Sequence, residues 1–263
     1  MPRSSKLRCL LAALAFCSTQ TVHAEQITIR ADPWLPYNGV AGKPPAGYMI
    51  DAAEQIAKAN GHTIQYANMP WDDALAAVRA GQHDCVVGAA HDDAEGFAFP
   101  TLSWGRSQNA FFAMTGNPWR YAGVASLAGV RLAMIEGYSY SDELDAYIEA
   151  HANDGKVIVI NGIRRATINA VSQMAAGKAD VFVEDVNVMR QTLDEMAMTE
   201  RVENHGNLDE LTDVFIACTP ARPQGAVYAT MFSEGLARLR ASGELAKILA
   251  RYGLKDWVNT KPQ

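Results

Sequence analysis

The chain has 263 residues, of which 49% are hydrophobic and 20% are charged, a composition and length that suit one large globular domain or two lobes. Its 29 acidic and 23 basic residues give a formal net charge of −6 at pH 7. An acidic surface repels nucleic-acid phosphates and anionic lipid headgroups, so we expect no nucleic acid among its partners.

The first 24 residues have the pattern of an export signal. Arg3, Lys6 and Arg8 precede a short apolar run, and Ala24 ends a small-x-small cleavage site. Removing this segment leaves 20 basic and 29 acidic residues, a net charge of −9. No later segment approaches the roughly 18 apolar residues that span a bilayer, so we expect a soluble mature chain with no stable membrane insertion. The export signal predicts a periplasmic location, and we expect a monomer.

The residues that follow alternate between strand and helix patterns. Prolines end the first strand, Gly61 and Gly81 stop the two helices, and the third strand is a short apolar run typical of a strand covered on both faces. This order predicts a parallel sheet with right-handed crossovers. The predicted elements are a strand at 27–37, a helix at 48–61, a strand at 63–66, a helix at 71–81 and a strand at 85–88.

The same order restarts in the second half and predicts a second α/β lobe. Ser141 precedes a helical pattern as an N-cap would, and Ser242 and Gly243 divide the last helical segment into two. The predicted elements are strands at 130–137, 156–162, 181–186 and 211–220, and helices at 141–153, 164–180 and 231–253.

The loop after the third strand, HDDAEGFAFP, is acidic and contains no arginine. In open α/β sheets, ligands bind at the carboxyl ends of the strands. We therefore expect His91, Asp92 and Asp93 at the rim of a binding cleft.

Two cysteines, Cys85 and Cys218, follow the export signal. An oxidising compartment permits a disulfide between them. Each also lies in an apolar strand pattern, and a buried free thiol behaves as a small hydrophobe, so the residues alone leave both states open.

Several segments together resemble a known protein family: WLPY, GYMIDAAEQIAKANG, MPWDDALAAVRAGQHDCVVGA, FAFPTLSWGRSQNAFF and MAAGKADVFVED. The chain resembles the extracellular solute-binding proteins of family 3, the polar amino-acid-binding branch of the type II periplasmic binding fold. The resemblance covers essentially the whole mature chain.

The resemblance implies an α/β fold of two lobes, each a mostly parallel sheet flanked by helices, joined by two hinge strands. Lobe 1 would comprise residues 25–106 and 212–263, and lobe 2 residues 107–211, with hinges near 104–109 and 210–214. Such lobes close on a small molecule and deliver it to an inner-membrane ABC permease. The family fold also places the two cysteine-bearing strands side by side, so a disulfide is feasible.

The resemblance places aromatic side chains, Trp34 and Trp71, against the ligand, and a core position is the alternative for each. Tyr37 either joins them or packs beneath the loop, while Gly88 allows close backbone approach. The predicted ligand-binding residues are Trp34, Tyr37, Trp71, Gly88, Ala90, His91, Asp92, Asn109, Tyr138, Ser139, Tyr140, Glu184 and Asp185.

The usual anchor of an amino-acid ligand is missing. The family supplies an arginine that binds the α-carboxylate, where this chain has an acidic loop. Arg106 is the nearest substitute, but we expect it to be solvated. Asp185 matches the position that accepts hydrogen bonds from a ligand amine, with Glu184 as a second acid; a helix N-cap is the alternative role for Asp185. The ligand is therefore expected to be amine-bearing or neutral.

We expect a binding protein without catalysis, cofactor or metal, since no nucleophile–base–acid set is visible and the acidic loop matches no metal-site spacing. One alternative is a dehydratase-like periplasmic enzyme using Glu184, Asp92 or His91 as acid or base. The dianionic substrates of such enzymes fit this cleft poorly. A second alternative is a sensor or accessory protein that binds a protein partner.

Overall fold

The computed structural model describes residues 24–161 and 165–259, and residues 1–23 of the predicted export signal lie outside this range. Strands and helices alternate through most of the described chain. The strands are β1 (Gln26–Ala31), β2 (Thr63–Asn68), β3 (Cys85–Ala89), β4 (Gly105–Ser107), β5 (Asn109–Met114), β6 (Leu132–Ile135), β7 (Val157–Ile160), β8 (Val181–Asp185), β9 (Val202–Asn207) and β10 (Thr212–Cys218). The helices are α1 (Tyr48–Ala59), α2 (Trp71–Arg79), α3 (Asp142–Ala150), α4 (Ala166–Ala175), α5 (Val186–Met196), α6 (Gln224–Ala241) and α7 (Glu244–Ala250), with 3-10 turns at Val124–Gly129 and Trp257–Asn259.

Local signals in the sequence fix several helix boundaries. The Ser141 side chain accepts from the backbone N–H of Leu144, which confirms the predicted N-cap of α3. Gly243 adopts a left-handed conformation with φ of 77° between α6 and α7, which confirms the predicted break there.

The strands form two five-stranded sheets, in the orders β2-β1-β3-β10-β4 and β7-β6-β8-β5-β9. In the first sheet only β10 runs against the others, and in the second only β5 does. Each sheet is therefore mixed but mostly parallel. Helices flank both sheets, and the predicted two-lobed α/β fold class is confirmed.

The chain passes between the two sheets twice. It leaves the first sheet at residue 108, between β4 and β5, and returns through residues 208–211, between β9 and β10. Both passages fall within or beside the segments expected to act as hinges. The lobe boundaries 25–106, 107–211 and 212–263 stay a prediction.

Helices cover both faces of each sheet, so the strands are apolar on both sides. Side chains of α1, α6 and α7 pack against one face of the first sheet, while α2 packs against the other. In the second sheet, α4 and α5 lie on one face and α3 on the other. Within the described range, no helix combines the length and apolar composition needed to cross a membrane.

A disulfide joins the first sheet internally, between Cys85 of β3 and Cys218 of β10. The two residues are direct partners in the antiparallel register of these strands. The bond therefore links the start of β3 to a strand 133 residues further along the chain.

Candidate functional site

A cleft of about 810 Å³ lies between the two sheets. One wall comes from the segment after β1, the start of α2 and the end of β3. The other comes from the β6–α3 loop and the end of β8, and the passage from β9 to β10 closes one side. The cleft thus forms where the carboxyl ends of strands from both sheets meet, the usual position of ligands in open α/β sheets.

Most of the predicted ligand-binding residues line this cleft. They come from both sheets, although the chain separates them by as many as 150 residues. The ten that line it are Trp34, Trp71, Gly88, Ala90, Asp92, Asn109, Tyr138, Ser139, Tyr140 and Glu184.

The structure places Asp185 beneath the cleft rather than in it. Its carboxylate accepts from the backbone N–H of Asn187 at 2.8 Å and of Val188 at 3.0 Å, and so caps α5. It also accepts from the Ser107 hydroxyl at 2.9 Å. Successive side chains of a strand point to opposite faces, so Glu184 and Asp185 cannot both reach the cleft. The sequence allows two roles for Asp185, a ligand acceptor or a helix N-cap, and the structure shows the N-cap.

Tyr37 also lies beneath the lining. Its ring stacks on Trp34, with ring centroids 4.1 Å apart, and its hydroxyl contacts Asp185 Oδ2 at 3.1 Å. Tyr37 therefore supports the Trp34 ring from behind instead of facing a ligand.

His91 and Arg106 point away from the cleft. The His91 ring packs against Phe99 and Phe215, with centroids 4.1 and 4.8 Å apart. Arg106 donates to Asp213 Oδ1 at 3.0 Å on the neighbouring strand. The expectation of a simply solvated arginine is thus corrected, because this guanidinium has an acidic partner.

Several lining residues of the cleft were not predicted from the sequence. Asp32 is the most important of them. Its position in the sequence could have indicated the site, because it directly follows β1 and therefore lies at the carboxyl end of a strand. Asp209 and Glu210 carried no comparable signal, because they lie in the irregular passage between β9 and β10. Further lining residues that were missed are Asn38, Ser107, Tyr121, Ser141, Asp142, Glu143, Asn207 and Thr212.

Acidic side chains dominate the cleft. Five are exposed, two are partly buried and one is fully buried. No lysine, arginine or histidine of the described residues is among the lining side chains. The acids are Asp32, Asp92, Asp93, Asp142, Glu143, Glu184, Asp209 and Glu210.

Glu184 is the fully buried acid, with 1% of its surface exposed. It accepts hydrogen bonds from Trp34 Nε1 at 3.2 Å, from Thr167 Oγ1 at 3.2 Å and from its neighbour's backbone N–H at 2.8 Å. Burial nevertheless raises the pKa of Glu184 to about 8, because removal from water penalises the ionised form and the neighbouring Asp185 carboxylate adds to the effect.

Asp32 follows β1 of the first sheet. It faces the lobe that contains Glu184. Its Oδ2 accepts a hydrogen bond from the Tyr138 hydroxyl at 2.6 Å. Burial raises the pKa of Asp32 to about 6, and burial likewise raises the pKa of Tyr138 well above its usual value. Tyr138 therefore remains a hydrogen-bond donor that joins the two lobes directly.

Aromatic rings supply the apolar part of the lining. Trp34, Trp71, Tyr121 and Tyr138 all contribute. Gly88 makes room for one of them: a Cβ atom there would lie 3.4 Å from Trp34 Cε3, and the residue has φ of 93°.

Two backbone N–H groups at the start of α3 already have partners within the protein. The Tyr140 backbone N–H donates to Asp145 at 3.0 Å, and that of Leu144 donates to Ser141 Oγ at 3.3 Å. Asp142 and Glu143 line the cleft at the same point. Within the described chain, no group of three or more His, Cys, Asp and Glu side chains is placed to hold a metal ion.

A sequence model for bacterial extracellular solute-binding proteins of family 3 matches residues 27–255. No curated protein matches the sequence. Three solved structures illustrate the structural similarity, and at these identities the likeness shows the fold alone.

EhuB in complex with hydroxyectoine has a TM-score of 0.71 and 20% identity, and the match covers 88% of this chain and 89% of that one. A mutant of ArgBP from T. maritima has a TM-score of 0.70 and 17% identity, covering 86% and 94%. A histidine kinase sensor domain with similarity to periplasmic binding proteins has a TM-score of 0.69 and 22% identity, covering 86% and 95%.

Proposed function

The chain belongs to the bacterial extracellular solute-binding proteins of family 3, and from that premise we propose that it captures a small organic cation without a carboxylate group in the cleft between its lobes. The observation that carries the proposal is the charge of the lining. Eight acids and no basic side chain of the described residues line the cleft. The acidic side chains would repel an anion. A cation could pair with an acid both at the exposed rim and at the buried end of the cleft.

The buried acid, Glu184, defines where the positive group of the ligand would bind. Glu184 is buried beside the Trp34 ring, and burial raises its pKa. A positive group bound here would stabilise the carboxylate and lie against aromatic faces. A cation–π contact contributes about 0.5–2 kcal/mol where water is excluded.

The exposed acids have a separate role. Asp92, Asp142, Glu143, Asp209 and Glu210 lie around the mouth of the cleft. A cleft rimmed by one sign of charge concentrates ligands of the opposite sign and accelerates their association.

Similar proteins bind ligands that carry both charges. An amino-acid-transporter binding protein from Streptococcus pneumoniae is bound to L-arginine, with 16% identity and a TM-score of 0.67. The guanidinium of such a ligand suits this cleft. Its carboxylate finds no basic partner among the described lining residues. We therefore place the ligand among cations lacking that group.

Family membership supports capture rather than catalysis, and the charge of the cleft argues against the dehydratase-like alternative, whose substrates are dianions. We propose that the protein acts in the periplasm as a monomer. The lobes would close by rotation about residues 104–109 and 210–214 and present the ligand to an inner-membrane ABC permease. A sensor protein could capture its ligand in the same way, so binding in the cleft is also compatible with a sensor role.

Thermal unfolding with two sets of small molecules, cations without a carboxylate and anions such as dicarboxylates and α-keto acids, tests the proposal. Cations without a carboxylate should raise Tm in proportion to the logarithm of their concentration, and anions should not. Tryptophan fluorescence should change with the same ligands, since Trp34 and Trp71 line the cleft. Stabilisation by dicarboxylates or α-keto acids alone would refute the assignment.

A further inference from the structure

We infer that the positive group of the ligand carries N–H donors, and that the Asn38 side-chain carbonyl is the acceptor that distinguishes such a cation from a quaternary ammonium. The inference rests on the proposed function, because it names the class of cation that the same cleft selects. It is carried by an independent feature, the hydrogen bonding of one amide.

The orientation of the Asn38 amide is fixed by its neighbours. Nδ2 donates to the backbone oxygen of Asp32 at 2.6 Å and to the Tyr66 hydroxyl at 3.0 Å. The Tyr66 hydroxyl donates its own proton to the Gly39 carbonyl at 2.8 Å, so it acts as the acceptor toward Asn38. A flipped amide would direct its oxygen at the Asp32 carbonyl and lose both bonds. Oδ1 is therefore the polar atom of the Asn38 amide that these hydrogen bonds do not use.

Asn38 Oδ1 is buried and has no hydrogen-bond partner within the described chain. The residue is only 1% exposed, yet it lines the cleft. Buried side-chain acceptors in folded proteins are nearly always paired, because leaving one without a donor is costly. An unpaired acceptor at a ligand cleft thus indicates a donor that arrives with the ligand.

Gly88 leaves space beside this oxygen. A Cβ atom on Gly88 would lie 3.7 Å from Asn38 Oδ1 and 3.4 Å from Trp34 Cε3. A side chain there would occupy the space between the amide and the indole ring. The absent side chain therefore lets a ligand group contact the Trp34 face and Asn38 Oδ1 together.

The surroundings supply acceptors and few free donors. The carboxylates of Asp32 and Glu184 line the same cleft, the indole N–H of Trp34 already donates to Glu184, and the Tyr138 hydroxyl already donates to Asp32. A guanidinium or primary ammonium can donate to Asn38 Oδ1 while its charge faces the acids. A quaternary ammonium makes the same aromatic and ionic contacts but presents only methyl groups, so Asn38 Oδ1 stays unpaired.

Calorimetric titration of the protein with butylguanidinium, butylammonium and butyltrimethylammonium tests the inference. The first two should bind at least about tenfold more tightly than the third, a factor equivalent to about 1.4 kcal/mol. Equal or tighter binding of butyltrimethylammonium would overturn the inference while leaving the proposed cation function intact. If none of the three bound and an anion did, the proposed function itself would fail.

A pair of variants tests the role of the amide. Asn38→Ala should reduce the preference for butylammonium over butyltrimethylammonium to near unity. Asn68→Ala is the matched control, since Asn68 belongs to the same network but both ends of its amide have partners, Gly39 O and the Ala41 N–H among them. It should keep the preference.

Both variants lose structural hydrogen bonds and are expected to be less stable, so the ratio of the two affinities is the readout. An unchanged ratio in Asn38→Ala, or an equal loss of preference in Asn68→Ala, would contradict the assignment.

Discussion

The indole N–H of Trp34 donates to Glu184 Oε1 across 3.2 Å, joining an aromatic side chain of the first lobe to the buried acid of the second. The contact places the carboxylate at the edge of the indole ring within an acidic cleft. Three donors bind this carboxylate, yet burial keeps its pKa near 8. A positively charged ligand group beside Glu184 would stabilise its ionised carboxylate.

Replacing Glu184 by glutamine should weaken cation binding by at least about tenfold, because the change removes a buried charge that faces the ligand. Glu143→Gln is the control, since this lining acid is exposed and screened by water; it should weaken binding by less than about fivefold. Calorimetric titration of both variants with butylammonium measures the difference. Equal losses would show that Glu184 has no special role.

The stability of the ligand-free protein should fall as pH rises. Glu184 has a pKa of about 8 in the folded state against an ordinary value of 4.5, so between these limits the folded protein retains a proton that the unfolded chain has released. Asp32, with a pKa of about 6 against 3.8, adds to the lower part of this window. The Glu184 contribution is at most about 5 kcal/mol, complete near pH 4 and lost above pH 8.

Urea unfolding at pH 5, 6.5 and 8 measures this dependence. The Glu184→Gln variant should show a much smaller decline over the same range. A stability that increased from pH 5 to pH 8, or a variant with the same slope as the natural protein, would contradict the assigned environment of Glu184.

Cation binding should release protons. A bound cation favours ionised Glu184, so below pH 8 the complex holds fewer protons than the free protein, and affinity should rise as pH increases from 6 to 8. Titrations at pH 7 in two buffers with different ionisation enthalpies measure the release directly. Identical heats in both buffers would show that no group with a raised pKa responds to the ligand.

The Tyr138 hydroxyl should stabilise the closed arrangement of the lobes. It donates to Asp32 Oδ2 at 2.6 Å across the cleft. We expect Tyr138→Phe to shift the ligand-free protein toward a more open form with a larger radius of gyration in solution scattering, and to weaken ligand binding a few-fold. Tyr147→Phe is matched to it, because Tyr147 donates to the Leu127 carbonyl within one lobe. A similar radius for both variants would argue against this role.

Loss of the disulfide should destabilise the fold without changing ligand affinity. Replacing Cys85 and Cys218 together by serine frees a loop of about 133 residues in the unfolded chain, which typically lowers the free energy of unfolding by about 2–5 kcal/mol. Neither cysteine lines the cleft. Denaturant unfolding and cation titration of the double variant check both statements. Natural stability, or a large loss of affinity with the fold intact, would be inconsistent with them.

The fold could be predicted from the sequence because its signals are local and repeated. The apolar run around Val86 and Val87, the cap at Ser141 and the break at Gly243 each specify an element by themselves. Repetition of these elements in the same order predicts two mostly parallel sheets. The sequence pattern does not identify β10 and β5 as the strands that run against the others; strand pairing in the structure shows this.

The site was predictable only in part, because side-chain direction depends on strand register and loop shape. The sequence favours Asp185 as the ligand acceptor with Glu184 as a second acid, but the alternation of β8 sends Glu184 into the cleft and leaves Asp185 to cap α5. His91 is adjacent to Asp92, yet a turn places its ring against Phe99. The hydrogen bonds of Asn38 depend on residues distant in sequence, and no local pattern reveals them.

The most direct test of a cleft for cations without a carboxylate compares arginine with its decarboxylated counterpart, 4-aminobutylguanidine, in calorimetric titrations of the same protein preparation. The two ligands share the guanidinium and the aliphatic chain and differ in the carboxylate that the acidic lining would repel. We predict that 4-aminobutylguanidine binds at least about tenfold more tightly. Tighter binding of arginine would contradict the account, because the described lining contains no basic side chain to pair with its carboxylate.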